Sequence, residues 1–209
     1  MERLKSIGVI PINKDVLYSL YGYLKRPDEK ISELEKKGFL MRIKRNLYVV
    51  SPKVHQVEVS SELVANHLYG PSYISLESAL SYWGIIPERV YSMRSVCTKL
   101  YKSYQTRLGH FEFIKVPEPY FPVGLTLEII DNSYAFLIAT PEKALCDKII
   151  TSKNLKIQSV KAMRTYLEED LRFDISALAS FDEDIIRKCI EFGRKKTEIT
   201  QLIKLLHHV

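Results

Sequence analysis

Residues 27–50, PDEKISELEKKGFLMRIKRNLYVV, change hydrophobic period at a single glycine. Before Gly38 the apolar residues Ile31 and Leu34 recur at helical spacing. Pro27 suits a first helical turn, and Asp28 and Glu29 suit the positive end of the helix dipole. Gly38 is a natural stop, because the residue after a helix often needs a left-handed backbone. After it the period is two. Met41 and Ile43 alternate with Arg42 and Lys44, the pattern of a strand with one buried face, and Leu47–Val50 reads as the return strand. The bend between them needs a residue that tolerates positive φ, and asparagine is the best substitute for glycine there. Asn46 is therefore predicted at the turn, with Lys44 and Arg45 on an exposed cationic tip.

A further helix is expected upstream over 13–24. Asn13 is its candidate cap, Val16, Leu17, Leu20 and Leu24 form its apolar side, and Gly22 weakens it. Helix, helix and a hairpin with a cationic tip is the order of a winged helix-turn-helix, whose second helix enters the major groove. On that second helix Glu29, Ser32, Glu33 and Lys36 lie opposite the apolar stripe, flanked by Lys30 and Lys37.

Charge points the same way. The chain of 209 residues carries a net +6. Residues 1–53 hold 12 Lys+Arg against 6 Asp+Glu, and residues 54–209 hold 19 of each, so the whole excess lies in the first quarter. A basic unit on a neutral one suits a polyanion-binding head. A solvated basic face with no partner is the plain alternative.

The segment 51–56 reads as a boundary, and the chain beyond it mixes element types. Helices are expected over 57–68 and from a Ser75 cap through Trp83. Strands are expected over 90–98 and 111–116, and as a hairpin of 125–130 with 134–139 around Asp131-Asn132-Ser133. Thr140-Pro141-Glu142 is a clear helix start, and helices should fill about 141–150, 157–171, 182–192 and 196–207. The expected fold class is α+β: a winged helix-turn-helix over 1–53, then a mixed α+β domain over 54–209 with a helical C-terminal part. Within it, residues 89–111 carry Arg89, Arg94, Lys99, Lys102 and Arg107 interleaved with tyrosines and no acid. That composition suits a secondary nucleic-acid patch, but an ordinary exposed sheet face has the same composition and is the favoured reading.

Together these segments resemble a known family. KISELEKKGFLMRIKRNLYVV is similar to the N-terminal winged helix of AbiEi-type antitoxins, the regulators of type IV toxin–antitoxin and phage-defence operons. GPSYISLESALSYWGIIPERV, TRLGHFEFIKV and ATPEKALCDKI resemble, in order, the body of that family's second domain. The resemblance spans roughly residues 8–150. It implies an N-terminal domain acting as an autorepressor on operator repeats, and a second domain that carries antitoxin activity and supports cooperative binding. The implied toxin is a nucleotidyltransferase-type protein, antagonised with or without direct contact. Lys30, Ile31 and Leu34 match the family's recognition helix, Arg42, Lys44 and Arg45 its wing, and Tyr48 its return strand. The family usually has glycine at the position of Asn46. In the second domain Ser75, Ser78, Ala79, Leu80, Gly84 and Pro87 match, as do Pro141, Glu142, Lys143 and Asp147; cap, turn and helix-pair roles account for most of these.

The expected DNA contacts are therefore Glu29, Ser32, Glu33 and Lys36 to base edges, where lysine can donate to guanine and glutamate can accept from cytosine. Lys25, Arg26, Lys30, Lys37, Lys44 and Arg45 are expected on phosphates, and Arg42, on the wing, is counted among the DNA-binding residues. Reading a repeat calls for a dimer or cooperative binding. The second hypothesis is a protein-interaction module that neutralises a toxin directly through the C-terminal domain.

Catalysis is not expected. Asp131 with Glu142-Lys143 approaches a metal-nuclease pattern, but the lysine is adjacent rather than two residues on, and the pair begins a helix. No P-loop, GxSxG or HExxH is present. Cys97, Cys146 and Cys189 are widely spaced and show no metal-ligand spacing with the five histidines, so no metal or cofactor is expected and the thiols suit a cytoplasmic protein. No apolar run approaches the roughly 18 residues needed to span a bilayer, and the start has no signal-peptide core.

Overall fold

The computed structural model describes residues 2–87 and 91–208. Arg89 of the basic stretch and Val90 at the expected strand start lie outside them. The N-terminal unit runs α1 (Glu2–Lys5), β1 (Ile12–Asn13), α2 (Lys14–Tyr21), α3 (Pro27–Lys36), β2 (Leu40–Lys44) and β3 (Leu47–Val50). Its sheet has the order β1-β3-β2 and is antiparallel throughout. α2 ends at Tyr21 rather than Leu24, with Gly22 as its cap residue. Ile31 and Leu34 of α3 pack with Leu17, Tyr21, Leu40, Tyr48 and Val50 in a small core. Gly38 takes φ +71°, and Asn46 takes φ 64°, the left-handed turn expected of it.

α4 (Pro52–His55) leads into the larger unit, with Ser51 as its side-chain cap. α5 (Ser61–Leu68) starts later than the apolar pattern suggests because Ser60 caps it. The second sheet has the strand order β6-β7-β5-β4-β9-β8. Its members are β4 (Ser72–Ile74), β5 (Ser92–Cys97), β6 (Lys102–Thr106), β7 (Gly109–Lys115), β8 (Leu125–Ile130) and β9 (Tyr134–Ala139). β4–β9 and β5–β7 are parallel pairs; β4–β5, β6–β7 and β8–β9 are antiparallel. α6 (Leu76–Tyr82) and α7 (Pro141–Thr151) pack on this sheet. Thr140 caps α7 through its side chain. The chain then continues as α8 (Val160–Thr165), α9 (Glu183–Phe192) and α10 (Lys196–Leu206). The class is α+β, and no helix among the described residues is long and apolar enough to cross a membrane.

The two units share packing. β3 is buried at all four residues. Tyr48 and Val50 face the small core, whereas Leu47 and Val49, with Ile43 of β2, join the core of the larger unit. The hairpin therefore has two buried faces, not one. A register shift between Arg42 and Lys44 breaks the simple alternation of β2, and such bulges re-aim side chains.

Candidate nucleic-acid interface

α3 stands at the surface with Glu29, Ser32 and Lys36 exposed, on the side away from buried Ile31 and Leu34. With Asp28 and Glu33 they line a shallow depression of about 350 Å³. Asp28 ties α3 to α2: it accepts from the Tyr18 hydroxyl at 2.7 Å and pairs with Lys14 at 2.6 Å. The lysine holds the Asp28 carboxyl below its usual range, and the aspartate holds Lys14 above its own.

Three of the cations expected on phosphate are already engaged on the same helix. Arg26 pairs with Glu29 at 2.8 Å, Lys30 with Glu33 at 2.8 Å, and Lys37 with Glu33 at 2.5 Å. Clamped between two ammonium groups, the Glu33 carboxyl is pulled down to about 2. Such exposed pairs add little to stability, so they can be exchanged for an anionic ligand at small cost. Lys25, Lys36, Arg42 and Arg45 are exposed and carry no ion pair among the described residues.

Lys44 departs from the expected exposed tip. Its ammonium donates to the Leu68 carbonyl at the end of α5 and lies 5.6 Å from the Tyr104 ring. Partial burial, and then the nearby Lys99, push its pKa down. The bulge at Ile43 is what turns it toward the larger unit, and a carbonyl at a helix C-terminus is a favourable seat for a cation. The hairpin tip is thus Arg45 and Asn46 alone.

The secondary patch is also smaller than its composition suggests. Arg94 is half-buried, donating to Glu77 at 2.6 Å with its Nε 3.2 Å from Glu112. Lys148 adds a second cation to Glu77 at 2.5 Å. Arg94 therefore belongs to an ion-pair cluster under the sheet face, not to a free basic surface. Its partners lie 17 and 18 residues away in sequence, which linear spacing does not reveal. Lys99 donates to the Gly70 carbonyl at 2.6 Å and sits 5.4 Å from the Tyr69 ring. Lys102 lies 5.9 Å from the Tyr104 ring, and Arg107 is exposed in the β6–β7 turn.

A second group of polar residues lies in the core. Ser75 is not the side-chain cap of α6 that its position suggests: its hydroxyl donates to Asp147 at 2.5 Å instead of serving a helix end. Lys143 contacts the other oxygen of Asp147. All three side chains are wholly buried, which leaves no atom for a substrate to reach. Among the described residues no group of three or more His, Cys, Asp or Glu could hold a metal ion. The three cysteines are free thiols in the core. No family model matches this chain, and no curated protein matches it either.

Proposed function

We propose that the N-terminal unit is a winged helix-turn-helix and that the chain is a DNA-binding autorepressor and antitoxin of a type IV toxin–antitoxin operon. The observation that carries the proposal is the placement of α3. Its outward residues Glu29, Ser32 and Lys36 are exposed beside a hairpin whose Arg42 and Arg45 are exposed and carry no ion pair among the described residues. A helix of this kind offers lysine and glutamate to base edges, and the arginines reach flanking phosphates. The order helix, strand, helix, helix, strand, strand and the concentration of net charge in residues 1–53 support it. The resemblance to AbiEi-type antitoxins supplies the biological setting: operator repeats upstream of its own operon, and a nucleotidyltransferase-type toxin countered by the larger unit.

The test is fluorescence anisotropy on that upstream DNA at several salt concentrations. Full-length substitution variants are the proper comparison, because removing residues 1–53 would strip Ile43, Leu47 and Val49 from the core of the larger unit. Sequence-preferring, salt-dependent binding that is lost in Lys36→Glu with Arg45→Glu supports the proposal. No binding at low salt overturns it.

The pairing of Arg26, Lys30 and Lys37 with their own acids favours one other reading, a protein-interaction module that neutralises a toxin directly. Stable co-elution with the neighbouring gene product, with no DNA binding, distinguishes it.

A further inference from the structure

The two edges of the six-stranded sheet are built differently. β6 at one edge reads KSYQT; it is polar and carries Lys102, a common guard against edge-to-edge pairing. β8 at the other edge reads LTLEII and has no such guard. Its only backbone partner strand among the described residues is β9. Leu127 is 60% exposed and Ile129 66% exposed. Across the ladder they sit opposite Leu137 and Ala135, so the apolar face continues onto β9. The one charge of the strand, Glu128, points to the other face, where it accepts from the Tyr82 hydroxyl at 3.1 Å. Exposed apolar area along an unpaired edge marks a pairing site rather than a solvated surface.

We infer that β8 pairs antiparallel with β8 of a second copy of this chain, joining two sheets about a two-fold axis. Charge and hydrogen bonding narrow the register; with the axis at Thr126, Leu125 would face Leu127 but Glu128 would face Gly124, which offers it no side-chain donor. With the axis at Glu128, two carboxylates would face each other, which is unfavourable. With the axis at Ile129, Leu127 would face Asp131 and Glu128 would face Ile130. With the axis at Leu127, Leu127 faces itself, Leu125 faces Ile129, and Glu128 faces Thr126, whose hydroxyl can donate to it. Every apolar residue on the Leu127 face then meets an apolar one, the single charge meets a donor, and Ile130 faces Gly124. The strand is its own complement in this register, as a two-fold interface requires. This inference stands apart from the DNA proposal, since it uses no residue of the N-terminal unit.

The experiment is sedimentation velocity on the full chain from low to high micromolar concentration, without DNA. The expected result is a concentration-dependent doubling of mass, lost in Leu127→Lys and in Ile129→Lys. Both side chains are exposed, so circular dichroism should show both variants folded. Register is tested by cysteine cross-linking, the native thiols being buried. Directly opposed residues lie about 4.5–5.5 Å apart between Cα atoms, within disulfide reach. Leu127→Cys should therefore cross-link to its own copy under mild oxidation, and Ile129→Cys should not. A monomer at every concentration, a dimer that both lysine variants retain, or cross-linking of Ile129→Cys in preference to Leu127→Cys overturns the inference.

Discussion

Lys143 Nζ lies 3.3 Å from Asp147 Oδ1, one helical turn apart on α7, and neither side chain has any exposure to solvent. The ammonium also donates to the Tyr120 carbonyl at 3.0 Å and stands 3.0 Å from the centre of the Tyr120 ring. Ser75 anchors the other carboxylate oxygen across 72 residues of sequence. The pair thus joins α7 to the start of α6 and to the segment before β8. Removing one member strands the other charge in the core. Asp147→Ala is expected to lower unfolding free energy by about 3–5 kcal/mol, a typical cost of breaking a buried pair. Replacing both, Lys143→Met with Asp147→Leu, should regain most of that loss. Urea unfolding of the three proteins checks both statements.

Glu33 gives a pH prediction. Its folded carboxyl titrates at about 2 instead of 4.5, chiefly because Lys30 and Lys37 hydrogen-bond to it. A depressed carboxylate pKa contributes stability that is fully present above 4.5 and is lost as pH falls toward about 2. A carboxyl-detected NMR titration should place the Glu33 midpoint well below the ordinary glutamate value. In Lys30→Ala with Lys37→Ala its midpoint should return toward the ordinary glutamate value. A midpoint unmoved by the double substitution would show that the clamp does not exist in solution.

The turn residue Asn46 is open to a direct test. At φ 64° a side chain with a branched β-carbon is strained, whereas glycine is not. Asn46→Gly is expected to leave stability nearly unchanged, and Asn46→Val to cost about 1–2 kcal/mol. Thermal or urea unfolding reads the difference. Equal midpoints for the valine and glycine variants would contradict the left-handed turn.

Local chemistry is legible in the sequence where it is decided by neighbours in the chain. Gly38, Asn46 and the Thr140-Pro141-Glu142 start do what their backbone preferences require, and the 125–139 hairpin closes through Asp131 and Asn132 at positive φ. The features that sequence spacing misses depend on partners far away. β1 is too short to show a period, and β4 and β6 are three and five residues long. Ser75 resembles a cap because serine often is one, but its side chain is turned to a buried carboxylate on α7, to which the hydroxyl donates, and it accepts from no amide of α6. Lys44 and Arg94 resemble free surface cations because their acceptors, the Leu68 carbonyl and the Glu77 carboxylate, belong to other elements. The alternation in β2 suggests one buried face; the register shift beside Lys44 and the second core behind Leu47 and Val49 have no local signature.

That difference between Lys44 and Arg45 yields a prediction for the proposed DNA complex. Arg45 is exposed at the tip with no ion pair among the described residues, whereas the Lys44 ammonium is already held by the Leu68 carbonyl. A phosphate contact contributes roughly one unit to the slope of log affinity against log salt. Arg45→Ala and Arg42→Ala should each weaken binding to all DNA sequences alike and flatten that slope by about one unit. Lys44→Met should leave the slope unchanged, since it removes no free cation from the surface. Lys36→Ala differs again: a base-reading lysine should cost about 1–3 kcal/mol on the preferred sequence and much less on others. Anisotropy titrations at four salt concentrations, on operator and on scrambled DNA, separate the three behaviours. If Lys44→Met flattened the slope as strongly as Arg45→Ala, its ammonium would have to leave Leu68 on binding, and the hairpin would be undocking from the larger unit when DNA arrives.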